Sequence, residues 1–180
     1  MSCSVRSILL TYGMLMMSGI TYAATGEHSL TAGYASGQVN IDHTRLADGD
    51  QDGMNLKYRY EFSDSWGVTG SLTFAGATSD NNAVEWSYTS YMAGPVWRFN
   101  RYVSVYYLLG LARADTDVTY EGRRQGMKKN ALASALGVQV NPWKGLVLDA
   151  GVEYAGFSDY PLRGTEAESV IFAMGAGYRF

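Results

Sequence analysis

The chain has 180 residues and a slight acidic excess, 17 Asp and Glu against 14 Lys and Arg, for a formal charge of −3. That balance excludes nucleic-acid binding as a whole-protein role, since phosphate recognition needs a basic surface. A single cysteine, Cys3, excludes a disulfide framework and a thiolate metal site, so a chain with 21 glycines and only 3 prolines must find its stability elsewhere.

Residues 1–23 read as a secretory signal peptide. Arg6 supplies the positive start, residues 8–10 and 14–17 the apolar run, and Thr21 and Ala23 a small-residue site for cleavage after Ala23. The run is shorter than the ~20 residues of a spanning helix. Cys3 precedes it and leaves with the signal, so it cannot carry a lipid anchor. Residues 24–180 then form one domain, and no later apolar run approaches the length of a membrane helix.

Alternation with a period of two dominates that domain. The first candidate strand, about 28–39, is weak: Leu30, Ala32 and Tyr34 against Thr31 and Gly33. A polar stretch follows at about 40–52, and then the clearest strand, 53–62. There Met54, Leu56, Tyr58, Tyr60 and Phe62 share one face, and Asn55, Lys57, Arg59 and Glu61 the other. After the turn at 63–65, residues 66–74 set Trp66, Val68, Leu72 and Phe74 against Thr69, Ser71 and Thr73. Beyond a second polar stretch at 78–84, residues 91–99 set Tyr91, Ala93, Pro95, Trp97 and Phe99 against Gly94 and Arg98. Asn100 and Arg101 turn the chain into 103–111, with Val103, Val105, Tyr107, Leu109 and Leu111 against smaller residues such as Ser104 and Gly110.

A third polar stretch, 117–130, precedes 132–140, where Leu132, Leu136, Val138 and Val140 oppose Ala133, Gly137 and Gln139. The turn at 142–145 leads to 146–154, with Leu146, Leu148, Ala150, Val152 and Tyr154 against Asp149 and Glu153. A last polar stretch, 157–167, precedes Phe172, Met174, Ala176, Tyr178 and Phe180, which alternate with Gly175, Gly177 and Arg179.

Eight strands with short turns at one end and longer polar connections at the other predict an all-β, eight-stranded antiparallel transmembrane barrel, apolar outward and polar inward. Closure lets every backbone group pair within lipid. The short turns belong in the periplasm and the longer loops outside. Phe62, Trp66, Phe99, Tyr102, Trp143 and Phe180 all reach the turn end, where a periplasmic aromatic girdle belongs. Tyr34, Phe74, Tyr91, Tyr154 and Phe172 are candidates for the opposite belt.

Five blocks resemble the Ail/OmpX/PagC/Rck/Lom family of Gram-negative outer-membrane proteins. They are residues 53–61 (GMNLKYRYE), 93–100 (AGPVWRFN), 135–142 (ALGVQVNP), 148–154 (LDAGVEY) and 175–180 (GAGYRF). The resemblance spans nearly all of residues 26–180 and implies the same barrel. It also implies roles in host attachment, invasion, serum resistance or survival in phagocytes for several members, while others have no firm role.

Inside so narrow a barrel, Lys57, Arg59, Arg98 and Arg179 face Glu61, Asp149 and Glu153, and a paired network filling the lumen is expected. Outside, Arg123, Arg124, Lys128 and Lys129 crowd the third polar stretch. Guanidinium and ammonium groups there suit the phosphates of lipopolysaccharide or a sulfated glycan. Asp42-His43-Thr44 offers the residue types of a base and a nucleophile without a recognisable signature. Asp48, Asp50 and Asp52 mimic the start of a calcium loop whose later carboxylate is missing.

Three function classes follow in order: a surface binding protein working through its loops, a structural envelope protein without a host partner, and an outer-membrane enzyme. The expected protein is a monomer without enzymatic activity, cofactor, metal or nucleic-acid partner. Outer-membrane lipid and lipopolysaccharide surround it, with host extracellular-matrix, glycan or complement-regulatory molecules as possible partners.

Overall fold

The structure is a computed structural model that describes residues 26–41, 44–78, 84–120, 123–158 and 166–180. The expected signal peptide, residues 1–23, lies outside them. Eight strands run up and down in sequence order: β1 Glu27–Ile41, β2 Thr44–Glu61, β3 Trp66–Thr78, β4 Val84–Arg98, β5 Val103–Tyr120, β6 Arg123–Val140, β7 Leu146–Ser158 and β8 Glu166–Arg179. Each pairs antiparallel with the next, and β1 pairs with β8, so the barrel is closed. At the seam the backbones of His28 and Phe180 exchange two hydrogen bonds of 2.9 Å.

The three tight turns use the expected chemistry. Ser63 Oγ accepts from the Trp66 amide at 3.0 Å, and Asn100 Oδ1 accepts from the amides of Tyr102 and Val103 at 2.8 and 2.9 Å. Such side-chain acceptors stand in for ladder bonds that the turn interrupts. Gly145 closes the third turn at φ 83°, a left-handed conformation that costs any other L residue about 1–2 kcal/mol.

The barrel is built with its apolar side outward. Leu132, Met174, Met54, Phe172 and Leu109 are among the most exposed large side chains, whereas Lys57, Arg59, Glu61, Asp149 and Glu153 are buried. Burial in lipid replaces burial in a core, so each strand's period-two pattern is read from the outside. From Trp66 to Phe74 the stretch that carries the outward apolar run is nine residues long. Tilted as in small barrels, that spans about 20–25 Å, the height of the apolar band.

The polar connections expected at 40–52 and 117–130 are mostly strand. β2 already begins at Thr44, and β5 and β6 pair as far as Tyr120↔Arg123. The ladder continues past the apolar band as paired backbone. The apolar alternation lapses there in the sequence while the backbone pairing persists. Pairing between β6 and β7 stops at Ala133↔Ala155. Among the described residues, the β6 edge from 123 to 132 therefore has no strand on its β7 side.

Candidate functional site

Two regions carry chemistry: the lumen, and the outer end of the β5–β6 hairpin. In the lumen, Lys57 Nζ sits 2.6 Å from Asp149 Oδ1 and also donates to Asn55. The second Asp149 oxygen accepts from Gln139 Nε2 at 3.0 Å, and Gln139 Oε1 accepts from Arg59 Nη1 at 2.8 Å. Arg59 donates to Ser104 Oγ at 2.9 Å and pairs with Glu61. Glu61 also pairs with Arg98 and, at 3.2 Å, with Arg179. Glu27, at the start of β1, joins both arginines, at 2.8 Å to Arg98. The network thus runs without a break from Lys57 to the barrel seam, and it joins four cations to Glu27, Glu61 and Asp149.

Glu153 is held differently. Among the described residues no cation reaches it; Tyr88 Oη donates at 2.5 Å and Thr73 Oγ1 at 2.8 Å. Tyr88→Phe removes one of the two donors that the described residues give this buried carboxylate. It is expected to lower stability by about 1–3 kcal/mol, seen as an earlier urea midpoint of unfolding from lipid vesicles.

Sequence reasoning missed three members of this lumen. Glu27 falls one residue before the first expected strand. Tyr88 lies before the fourth, and Tyr106 was hidden because large residues were assigned to the lipid face. The period itself carries the signal, since Ser104, Tyr106, Leu108 and Gly110 share one phase. Tyr106 reaches Asp149 at 3.3 Å because its hydroxyl passes over Gly137 and Gly151, where any Cβ would lie 2.2 and 2.4 Å from it.

Toward the hairpin end the lumen loses its charges and becomes mainly apolar, with Gln51, Ser90 and Ser169 buried among the apolar residues. The Tyr88 and Phe157 rings meet edge to face at 6.5 Å, packed among alanines such as Ala35, Ala112 and Ala155. That layer separates the charged network from the outer mouth.

Phe62, Trp66, Phe99, Tyr102, Trp143 and Phe180 are all exposed at the turn end. Trp66 stacks on Trp97 at 6.1 Å and Trp97 lies 4.1 Å from Phe99, which makes a continuous aromatic patch. At the opposite end, Tyr154 donates to Glu168 at 2.9 Å and Tyr34 to Asp52. These phenols sit where apolar surface gives way to polar groups.

The four basic residues of the third polar stretch lie on strand β6, not on a loop. Arg123 and Arg124 register with Tyr120 and Thr119, and Lys128 and Lys129 with Asp115 and Ala114. Lys128 is exposed and Lys129 half-buried. Asp48, Asp50 and Asp52 lie along β2, an extended spacing unlike a loop wrapped round a cation. Asp42 and His43 lie outside the described residues. No group of three metal-ligating side chains occurs among the described residues.

A closed eight-stranded barrel of this polarity has clear relatives. Residues 8–180 match the family model described as outer membrane protein beta-barrel domain. The attachment invasion locus protein of Yersinia pseudotuberculosis is 37% identical over 174 residues, covering 92% of this chain and 91% of that protein. The chain belongs to the Ail/OmpX/PagC/Lom family. It is thus an outer-membrane barrel of a family that includes virulence-associated proteins. Outer membrane protein X of Escherichia coli strain K12 is 28% identical, covering 91% of this chain and 90% of its own. Outer membrane protein lom of Escherichia phage lambda and virulence membrane protein PagC of Salmonella typhimurium match at 27% and 25%. Among solved structures, Ail of Yersinia pestis in complex with the heparin analogue sucrose octasulfate superposes with a TM-score of 0.72. It is 38% identical, and the match covers 87% of this chain and all of that one. Bacterial outer-membrane barrels place short turns in the periplasm and longer hairpins outside the cell.

Proposed function

We propose that this protein acts at the cell surface in host attachment, invasion or resistance to serum and phagocytes, and that it does so by gripping anionic glycans with its β5–β6 hairpin. The observation that carries the reading is the grouping of Arg123, Arg124, Lys128 and Lys129 on the outer part of one strand. Sulfate and carboxylate groups along a glycan match such a row, because each cation adds a charge-assisted hydrogen bond. Two relatives support it: one is named for attachment and invasion, and another was solved with a sulfated sugar. A competing reading, an envelope protein without a host partner, draws on the relative named simply as outer membrane protein X.

The quadruple variant Arg123→Ala/Arg124→Ala/Lys128→Ala/Lys129→Ala is expected to elute from heparin at clearly lower salt than the native barrel. Unchanged elution would sink the glycan assignment. On cells, the comparison is a non-adherent strain displaying either the native chain or one with residues 120–129 replaced by a Gly/Ser link. Attachment or serum survival conferred by the first and lost in the second supports the host role, and absence of both traits from both strains favours the envelope reading. The same proposal has a monomeric barrel whose residues 1–23 are removed on export, so N-terminal sequencing of the membrane form should begin at Ala24.

A further inference from the structure

One row of lumen-facing residues leaves hydrogen bonds unmade. Arg59 lies directly opposite Thr69 on β3 and Ser29 on β1, and Ser29 lies opposite Arg179 on β8. Side chains opposite each other on one face stand about 4.5–5.5 Å apart at Cβ, so the four are immediate neighbours. Thr69 Oγ1, Arg59 Nε, Ser29 Oγ and Arg179 Nε are each buried and without a hydrogen-bond partner. Thr69, Arg59 and Ser29 are no more than 2% exposed. The row ends at Gly94 on β4 and at Gly145, whose carbonyl accepts from the Arg179 amide, and neither glycine has a side chain to meet these groups.

The carboxylates nearby are engaged elsewhere on the same arginines. Glu61 meets Arg59, Arg98 and Arg179 at Nη2, and Glu27 meets Arg98 and Arg179 at Nη2, so each Nε hydrogen stays unmet. A guanidinium nitrogen can only donate, so what the row lacks is an acceptor. Charge points the same way. Lys57, Arg59, Arg98 and Arg179 are joined to three carboxylates, Glu27, Glu61 and Asp149, which leaves one positive charge in excess. Glu153, four residues along β7 from Asp149, takes its hydrogen bonds from Tyr88 and Thr73 instead. A water would fill the hydrogen bonds but not the charge, and a buried cation without a counter-ion is strongly unfavourable.

We propose that the lumen holds one small inorganic anion, chloride, between Arg59 and Arg179, with Arg59 Nε, Ser29 Oγ and Arg179 Nε as its donors and Thr69 Oγ1 beside them. Charge-assisted hydrogen bonds from two guanidinium groups favour an anion over water. A lumen filled by its own side chains favours a monatomic ion over phosphate or sulfate. The anion brings the network to neutrality and ties β8 and β1 to β2 at the barrel seam. The site is separate from the basic hairpin and does not depend on any host ligand.

Urea unfolding from lipid vesicles, in sodium chloride and in sodium gluconate of equal ionic strength, tests it. Chloride that binds only the folded barrel should lower the unfolding equilibrium constant about fivefold at a few times its dissociation constant. Ser29→Ala should lose most of that difference. Ser90→Ala removes another buried, unpartnered hydroxyl, in the apolar layer, and should keep it. Should Ser29→Ala lack the heat-modifiable mobility of a folded barrel, Thr69→Val removes a donor from the same row. Crystals of the barrel grown with bromide should show an anomalous peak among these four residues. A chloride effect that is absent from the native barrel, or equal in native and Ser29→Ala, overturns the proposal. So does a water without anomalous signal in the row, or bromide found at the exposed surface as an adventitious ion only.

Discussion

Asp149→Leu is expected to destabilise the barrel by about 3–5 kcal/mol, the cost of leaving a buried cation without its counter-ion. Lys57 is 4% exposed and meets Asp149 at 2.6 Å. Without the carboxylate, Asn55 remains its hydrogen-bond acceptor but supplies no compensating charge. Gln139 and Tyr106 lose an acceptor in the same step, since both donate to Asp149. The double variant Lys57→Met/Asp149→Leu should recover most of the loss, because removing both charges removes the desolvation that pairing offset. Equilibrium urea unfolding from phospholipid vesicles, followed by tryptophan fluorescence, measures both. A single variant within about 1 kcal/mol of the native barrel would mean that water reaches Lys57 and that the pair is not truly buried.

Leu109→Arg should be nearly as damaging from the other side of the wall. Leu109 is 59% exposed and lies at mid-height, between the turn at 99–102 and Arg113. An arginine on the lipid face costs about 2–4 kcal/mol at the bilayer midplane and about 0–1 near the interface. Tyr102→Arg, in the girdle at the turn end, is the matched comparison and should unfold near the native midpoint. Equal effects at the two sites would place Leu109 far from the membrane centre and contradict the band drawn from Trp66 to Phe74.

The sequence was most legible where the physics is repetitive. Alternation from Met54 to Phe62, or from Leu146 to Tyr154, assigns each side chain to lipid or lumen, and Asn100 or Gly145 marks the reversals. Two kinds of information stayed hidden. One is strand length beyond the apolar band: at Thr44 or Tyr120 the backbone still pairs, but the hydrophobic alternation that marks a strand has disappeared from the sequence. The other is cross-barrel pairing. That Lys57 would choose Asp149, 92 positions away, or that Glu61 would gather arginines from β2, β4 and β8, depends on barrel register. The basic cluster at Arg123 and Lys128 was visible as composition, while its extended backbone was not. The row of unmet donors at Ser29 was equally invisible, because it exists only when β3, β2, β1 and β8 come side by side.

The carboxylate pair Glu27 and Glu61 bears on how such a wall closes correctly. Slippage of β8 by one residue would turn Arg179 outward into lipid and is rejected by the membrane itself. Slippage by two preserves every inside and outside assignment, so hydrophobicity is blind to it. Arg179, held between Glu27 on β1 and Glu61 on β2, responds to that error, because a two-residue shift moves its guanidinium by about 6–7 Å and strands it. The lumen charges therefore proofread the final strand, detecting the misregistrations that lipid cannot sense.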